Sequence, residues 1–369
     1  MVHTAFSLSM KGSDSVHIEA FDTNFTLTVP DEAQMTYYDV LEAPFSIHGM
    51  LHDKEGYYRL PPDIAARANE GVASLSLHTA GGRVRFLTDA DRIALRAEMR
   101  DVSKMPHFAF TGSAGFDLYA NNVYCGTFVP PLEIETGYSA EMMIGTDGLK
   151  EITIHFPLYS GVKKLEIGLP SGSKLGNAGQ YRTADPVVYY GSSITQGGCA
   201  SRPGNAYPNI LSRLLSCDHL NLGFSGSARG ESCMAEYIAG LTMSAFVLDY
   251  DHNAPDPAHL EATHSAFFRI IRERNPILPV FLLSRPQPNP NKDDLVRREI
   301  VRKTWKNATQ AGDRNVYFID GTKMLSLFGG DGGTVDNCHP NDMGFYCMAK
   351  TLEPALRQVL IENQSSKED

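Results

Sequence analysis

The amino-acid sequence predicts an α/β protein of two domains: an all-β sandwich over residues 1–180, followed by a three-layer α/β/α domain over residues 185–369. Three observations support this prediction. The chain has 369 residues, enough for two domains of ordinary size. Its apolar residues alternate in the first half, whereas the second half combines short apolar runs with helical spacing. A polar, glycine-rich segment, Ser171–Pro186, lies between the halves and is predicted to be the linker.

The first half has the pattern of strands with one face in a core. Apolar residues occupy every second position of the segment 92–100, namely Ile93, Leu95, Ala97 and Met99. The same alternation recurs at residues 151–158 and 165–169. Because these short strands are separated by turn-forming residues and only one helical turn is expected, at residues 62–69, we predict an antiparallel sandwich.

The second half has the pattern of parallel strands that alternate with helices. Five short, continuous apolar runs indicate strands covered on both faces, at residues 187–190, 220–222, 245–250, 280–283 and 316–319. Helical spacing links them, and a last helix is predicted after Pro340. This order predicts a parallel sheet of about five strands with right-handed crossovers. The functional side chains of such sheets gather at the carboxyl ends of the strands.

Composition and charge argue against several classes of function. The formal net charge is −10 and the basic residues form no cluster, so we expect no nucleic-acid partner. No apolar run approaches the roughly 18–20 residues that span a bilayer, so we expect no membrane partner. Residues 1–16 lack the basic and apolar regions of a secretory signal, which predicts a cytoplasmic protein. Its six cysteines are then expected to be free thiols.

A serine at the end of the first parallel strand is the candidate nucleophile. The strand ends in Gly191, Ser192 and Ser193, and the glycine allows a tight turn that presents the Ser193 hydroxyl at the edge of the sheet. The alternative is that both serines only satisfy backbone groups of the loop.

An Asp-x-x-His pair near the end of the chain supports this assignment. Asp336 and His339 are three positions apart, a spacing at which the carboxylate can bind one imidazole nitrogen while the other faces a substrate. Gly226 and Asn253 follow two other strands and are candidates for binding groups at the same edge. A glycine-rich turn and an Asx turn would also explain these two residues.

The four segments occur in an order that resembles the SGNH (GDSL-like) hydrolase superfamily: a serine loop, a glycine loop, an asparagine loop and an Asp-x-x-His loop. The resemblance extends over residues 185–360. In the first half, GFDLY at residues 115–119 is similar to the signature of a β-sandwich domain that precedes the hydrolase domain in a bacterial subfamily. The sequence CASRPGNAY at residues 199–207 is similar to the segment after the nucleophile in that subfamily.

The resemblance implies an activity and a set of site residues. Ser193 would be the nucleophile, His339 the base and Asp336 its partner. The N–H groups of Ser193 and Gly226 and the side-chain amide of Asn253 would form the oxyanion hole. The resemblance also implies an esterase-type activity that needs no metal or other cofactor, and a flavodoxin-like catalytic fold beside a jelly-roll-like sandwich.

Two departures from the family pattern leave some roles open. Gly191-Ser192-Ser193 replaces the usual Gly-Asp-Ser, and the residues Asp-His-Asn-Ala at 251–254 replace the usual Gly-x-Asn-Asp. The second departure places His252 beside the site, either as an alternative base or as a substrate contact. Arg202 is the other candidate for substrate binding.

The expected function is the removal of a small acyl group, above all acetyl, from a sugar or oligosaccharide ester. An acyltransferase that uses the same serine is the nearest alternative, because both reactions pass through an acyl-enzyme. A carbohydrate-binding or interaction protein with an inactive hydrolase domain is a further alternative, since a fold does not guarantee an activity. The sequence leaves open whether the chain forms a homo-oligomer.

Overall fold

A computed structural model describes residues 20–22, 28–146, 148–325 and 331–362 of the protein. Residues 1–16, on which the prediction about a secretory signal depends, lie outside these ranges. Within the ranges, every helix is too short or too polar to cross a lipid bilayer.

The first half of the chain consists mainly of antiparallel strands, as its alternating pattern predicts. The strands are β1 (Met35–Asp39), β2 (Ser46–His48), β3 (Leu51–Asp53), β4 (Gly56–Tyr58), β5 (Arg83–Thr88), β6 (Arg92–Asp101), β7 (Phe116–Ala120), β8 (Val123–Phe128), β9 (Gly137–Met143), β10 (Lys150–His155), β11 (Gly161–Pro170) and β12 (Leu175–Gly176). Three short helices connect them: α1 (Pro62–Ala68), α2 (Glu70–Leu75) and α3 (Phe110–Ala114). Only the first of these helices was predicted from the sequence.

In the described part of this half, two large sheets share one hydrophobic core, and β3 and β4 form a separate two-stranded sheet. One sheet has the strand order β1-β11-β6-β9, and the other has the order β12-β5-β10-β7-β8 with β2 also paired to β5. Phe86 and Ile154 of the second sheet pack in the same buried cluster as Leu95 of the first. The prediction of an antiparallel β-sandwich is therefore confirmed.

The predicted linker is packed against the sandwich. Leu175–Gly176 forms the edge strand β12, which pairs with β5. The Tyr181 ring lies 4.1 Å from the Arg85 guanidinium, and its hydroxyl accepts a hydrogen bond from Arg83 Nε at 3.1 Å. Part of the linker candidate is therefore a strand, and part packs on the sandwich through Tyr181. Their contacts use a backbone edge and a single ring, and neither produces a periodic pattern in the sequence.

The second half is a three-layer α/β/α unit, as predicted. Its strands are β13 (Val187–Gly191), β14 (His219–Gly223), β15 (Ala245–Asp249), β16 (Val280–Leu283) and β17 (Val316–Ile319). Its helices are α4 (Ser193–Gln196), α5 (Tyr207–Leu215), α6 (Ser232–Ala239), α7 (Pro257–Arg274), α8 (Lys292–Gln310), α9 (Gly321–Met324) and α10 (Asp342–Arg357). The five strands form one parallel sheet in the order β14-β13-β15-β16-β17.

Neighbouring residues of β13 enter different cores on the two faces of this sheet. Val187 lies in a cluster with α5 and α10, whereas Val188 lies in a cluster with α6, α7 and α8. The first cluster also contains Phe108, Leu158 and Tyr159 from the sandwich, so the two halves share a core. The chain adds β14 on one side of β13 and then adds β15 on the other side. At such a change in the strand order, a crevice is expected at the carboxyl ends of the strands.

Candidate active site

The sharp turn after β13 places Ser193 at the carboxyl edge of the sheet. Gly191 ends the strand, and a side chain at that position would lie 2.6 Å from the Asp249 carbonyl oxygen. Ser192 Oγ caps α4 by accepting a hydrogen bond from the Ile194 N–H at 3.2 Å. Ser193 is the first residue of α4 and is 7% exposed, so little of it is open to solvent.

A hydrogen-bonded array joins Ser193, His339 and Asp336. His339 Nε2 lies 2.9 Å from Ser193 Oγ, and His339 Nδ1 lies 2.7 Å from Asp336 Oδ2. The fold therefore brings together three side chains selected from the sequence, although the serine and the histidine are 146 positions apart. When Nδ1–H is donated to the carboxylate, the lone pair of Nε2 faces the serine hydroxyl.

The backbone of the histidine loop closes on the same carboxylate. Asp336 Oδ1 accepts hydrogen bonds from the N–H groups of His339 at 2.7 Å and Cys338 at 3.1 Å. Asn341 then begins α10, because its Oδ1 accepts a hydrogen bond from the Gly344 N–H at 3.0 Å. The imidazole is thus held between an aspartate and the start of a long helix.

These hydrogen bonds also determine the charge of Asp336. Burial alone would raise the pKa of its carboxyl, but the backbone and side-chain hydrogen bonds from His339 outweigh burial and hold the pKa below its ordinary value. Asp336 is therefore a carboxylate at neutral pH and can stabilise a positive charge on the imidazole.

Gly226 and Asn253 are in direct contact with each other. Asn253 Oδ1 accepts a hydrogen bond from the Gly226 N–H at 3.1 Å, and Asn253 Nδ2 donates to the Phe224 carbonyl at 2.8 Å. The Gly226 N–H is therefore already bonded in this conformation. Asn253 Nδ2 has a second hydrogen, and the Ser193 N–H lies in the first helical turn, where the helix offers no acceptor. These two donors are candidates to bind an oxyanion, whereas the Gly226 N–H is occupied by Asn253 Oδ1.

His252 lies near the site but does not contact the nucleophile. Its Nδ1 is 3.9 Å from Cys338 Sγ, and burial lowers the pKa of the imidazole well below its ordinary value, so the ring is neutral. In the described part of the chain, Ser193 Oγ is hydrogen-bonded to His339 and not to His252. The geometry therefore favours His339 over the alternative base.

Arg202 is held by the first half of the chain. Its Nη1 donates to Asp117 Oδ2 at 2.9 Å and to the Tyr119 hydroxyl, and its guanidinium stacks on the Tyr124 ring at 3.7 Å. Asp117 Oδ2 also accepts a hydrogen bond from the Gly204 N–H at 2.7 Å. Since Asp117 and Tyr119 belong to the GFDLY sequence, this motif anchors the loop after α4. Arg202 therefore positions this loop, and its contact with a substrate stays a prediction.

Three side chains beside the site were not selected from the sequence. The Tyr159 hydroxyl donates to the Ser193 carbonyl at 3.3 Å, and the His107 ring centroid lies 6.3 Å from that of His339. Burial raises the pKa of the Cys199 thiol to about 11. Among the described residues, one group of side chains is suited to hold a metal ion, and it consists of Cys199 with the two histidines. Tyr159 and His107 belong to no motif or periodic pattern, so only the fold reveals them.

The fold and the site define a class of protein: a three-layer α/β/α domain with a hydrogen-bonded Ser-His-Asp array at the carboxyl edge of its parallel sheet. The model of the GDSL-like lipase/acylhydrolase family matches residues 184–357. The GxDLY model, which describes the N-terminal domain of SGNH-hydrolase-type esterases, matches residues 35–175. The chain therefore belongs to the GDSL-like (SGNH) hydrolases that carry this N-terminal domain.

Solved structures resemble the chain over most of its length. A crystal structure from Bacteroides ovatus, described as a GDSL-like lipase, shares 28% sequence identity at a TM-score of 0.78 and covers 88% of this chain and 98% of its own. A salicylyl-acyltransferase from a tetracycline biosynthetic pathway shares 21% identity at 0.73, covering 89% and 98%. An acetyl xylan esterase from Butyrivibrio proteoclasticus shares 14% at 0.57, covering 88% and 98%. Comparison with curated proteins gave no significant match.

Proposed function

We propose that the protein is a serine esterase that hydrolyses small acyl esters, above all acetyl esters of a sugar or oligosaccharide, through a covalent acyl-enzyme. One observation carries this proposal: a continuous chain of hydrogen bonds from Ser193 Oγ through the His339 ring to Asp336, with separations of 2.9 and 2.7 Å. A hydroxyl, an imidazole and a carboxylate in this order are the groups that acyl transfer requires.

In the first half of the reaction, Ser193 Oγ attacks the ester carbonyl carbon and forms a new C–O bond. The hydroxyl proton passes to His339 Nε2, and the imidazolium is stabilised by the Asp336 carboxylate. The ester C–O bond then breaks, and the imidazolium returns its proton to the departing alcohol. The product of this half is an acetyl group on Ser193.

In the second half, water takes the place of the alcohol. His339 Nε2 accepts a proton from the water as its oxygen attacks the acyl carbon, and the same proton is given to Ser193 Oγ when the acyl bond breaks. In both halves the carbonyl oxygen becomes negatively charged. We assign the binding of this charge to the Ser193 N–H and the second Asn253 amide hydrogen.

The substrate class is supported by the structural relatives. Besides the acetyl xylan esterase, they include a family two carbohydrate esterase from Clostridium thermocellum in complex with cellohexaose, at 14% identity and a TM-score of 0.59. A second candidate, acyl transfer to an alcohol, is favoured by the likeness to the salicylyl-acyltransferase at a TM-score of 0.73. Both activities use the same acyl-enzyme and differ in the acceptor of the acyl group.

The test is acetate release from a panel of acetylated mono- and oligosaccharides, with and without an added sugar acceptor. We expect free acetate from the wild type and no ester turnover by Ser193→Ala, which keeps the fold because only a hydroxyl is removed. Acetylated acceptor in place of free acetate would favour the transferase. Substantial hydrolysis by purified Ser193→Ala would refute the assigned nucleophile.

A further inference from the structure

A group of metal-binding side chains lies beside the proposed nucleophile. His107, Cys199 and His339 each offer one ligand atom, and these three atoms all lie within 4.8 Å of one another. Two imidazoles and one thiol are a ligand set of borderline softness, of the kind that binds Zn²⁺. His107 comes from the sandwich and the other two residues come from the α/β/α half, so the group exists only in the folded chain.

The separations are close to those of a bound ion. With zinc–nitrogen and zinc–sulfur bonds of about 2.0–2.3 Å, the ligand atoms of a tetrahedral ion lie about 3.3–3.8 Å apart. A contraction of about one ångström would therefore bring the three atoms into the first coordination shell. His107 is exposed and lies in a loop, so its ring can turn to close this gap.

Two of the three residues offer ligand atoms that have no hydrogen-bond partner among the described residues. Within the described ranges, neither ring nitrogen of His107 and no atom of the Cys199 thiol takes part in a hydrogen bond. His339 Nδ1 is bonded to Asp336, so Nε2 is the nitrogen that a metal ion would use, and the ion would replace the hydrogen bond between Nε2 and Ser193 Oγ. Cys199 has a φ of 73°, a left-handed conformation that is rare for residues other than glycine and is often retained at functional positions.

We propose that His107, Cys199 and His339 bind one divalent cation of the zinc class, and that the bound ion reversibly inhibits the enzyme. Binding forms a metal–sulfur bond and releases the thiol proton to solvent. The lone pair of His339 Nε2 is then used by the metal and cannot accept the proton of Ser193. The binding step stands on geometry alone, whereas the inhibition rests on the proposed esterase function.

Cobalt(II) serves as the probe for binding, because its thiolate complexes absorb in the near ultraviolet through charge transfer. Titration of the full-length protein should saturate at one ion per chain with this band, and Zn²⁺ should displace the cobalt. Cys199→Ser should abolish the band, and His107→Ala should weaken binding at least tenfold. Cys338→Ser is the matched control, since its thiol lies against His252 and outside the group. Its band and affinity should equal those of the wild type.

His107→Ala also keeps the test decisive if Cys199→Ser fails to fold, because His107 is an exposed loop residue.

In a second measurement, Zn²⁺ should inhibit acetyl ester hydrolysis, a chelator should restore it, and His107→Ala should raise the inhibitory concentration at least tenfold. Absent ester turnover in the wild type would refute the proposed function, while the cobalt titration would still decide the metal site. Unsaturable cobalt binding, or a charge-transfer band that survives Cys199→Ser, would overturn the proposal.

Discussion

At the scale of single residues, the Asn253 side chain is hydrogen-bonded to two backbone groups and, among the described residues, has one amide hydrogen without an acceptor. Its Oδ1 holds the Gly226 N–H, and one Nδ2 hydrogen is donated to the Phe224 carbonyl. The amide therefore fixes the loop after β14 and leaves its second Nδ2 hydrogen for an oxyanion. Removing the side chain should affect both the donor and the position of Gly226.

We expect Asn253→Ala to lower kcat by roughly a hundredfold to a thousandfold, about 2.7–4 kcal/mol, because one oxyanion donor is lost. Asn253→Asp is the informative companion, since it keeps an acceptor for the Gly226 N–H but replaces the donor by a negative charge. Its kcat should fall at least as far. Steady-state kinetics with an activated acetyl ester would measure both variants. A kcat of Asn253→Ala within threefold of the wild type would contradict the role.

A second residue, Asp249, is a buried carboxyl beneath the nucleophile turn. Its Oδ2 accepts hydrogen bonds from the Thr195 hydroxyl at 2.8 Å and the Tyr207 hydroxyl at 2.9 Å. Burial raises the pKa of this carboxyl from 3.8 to about 7, despite these two hydrogen bonds. Between these two pH values the folded chain keeps a proton that the unfolded chain releases. This group therefore makes the protein less stable as the pH rises through that window.

Asp249→Asn should remove this pH dependence, because the amide oxygen can accept both hydrogen bonds and carries no charge. From about pH 5 to about pH 7, the free energy of unfolding of the wild type should fall relative to that of the variant by about 2 kcal/mol. Urea denaturation of both proteins at several pH values would measure the difference. A difference that stays constant with pH, or that changes in the opposite direction, would show that the carboxyl is not protonated in the folded state.

At the scale of elements, the loop between α4 and α5 connects the nucleophile to the sandwich. Gly204 lies against Asp117 and Tyr119 of the sandwich. Asp117 accepts a hydrogen bond from the Gly204 N–H, and the Tyr119 hydroxyl accepts one from the Arg202 guanidinium. At the other end of the loop, the Ser201 N–H donates to Asp342 Oδ1 at 2.8 Å, at the start of α10. The loop is therefore fixed both to the GFDLY strand and to the helix that follows His339.

A side chain at position 204 should push this loop away from the sandwich. The added Cβ of Gly204→Ala would lie 2.7 Å from Asp117 Oδ2 and closer still to the Tyr119 hydroxyl. We expect a loss of about 1–3 kcal/mol in the free energy of unfolding, as for other overpacked sites, together with a lower kcat.

Gly240→Ala provides the matched control for this prediction. Its added Cβ would meet its nearest neighbour, the Tyr237 carbonyl oxygen, at 3.3 Å, so stability and kcat should change little. Equal stabilities of the two variants in urea denaturation would show that the contact between the loop and the GFDLY strand does not constrain the site.

At the scale of the whole molecule, the sequence predicts each half separately but not their contact. The alternation in β6 and the apolar run of β13 follow from local burial, so they identify the sandwich and the parallel sheet. Ser193, Asp336 and His339 were found because the nucleophile turn and the Asp-x-x-His loop are local motifs. Tyr159 and His107 reach the same site from the sandwich, and such a contact between distant segments leaves no local pattern.

Arg59 shows how the two halves are joined. Its guanidinium is fully buried and donates to four backbone carbonyls: Leu75 at 2.7 Å and His78 at 2.8 Å in the first half, and Asn221 at 2.9 Å and Gly223 at 2.7 Å in β14. Among the described residues, no carboxylate forms an ion pair with it. Burial lowers the pKa of the guanidinium to about 9, so it is charged at neutral pH and held by carbonyl dipoles.

Arg59→Met should therefore destabilise the protein by at least about 3 kcal/mol, because it fills a similar volume but leaves several buried carbonyls without a donor. Arg67→Met on α1 is the control: its side chain is 59% exposed and, among the described residues, forms one long ion pair of 3.8 Å with Glu236. Its stability should stay close to that of the wild type.

Because Gly223 directly precedes the loop that carries Gly226, Arg59→Met should also lower kcat under conditions where the variant is folded. Urea denaturation and acetyl ester kinetics would test both effects, and an Arg59→Met protein as stable as Arg67→Met would show that the Arg59 hydrogen bonds are not needed to hold the halves together.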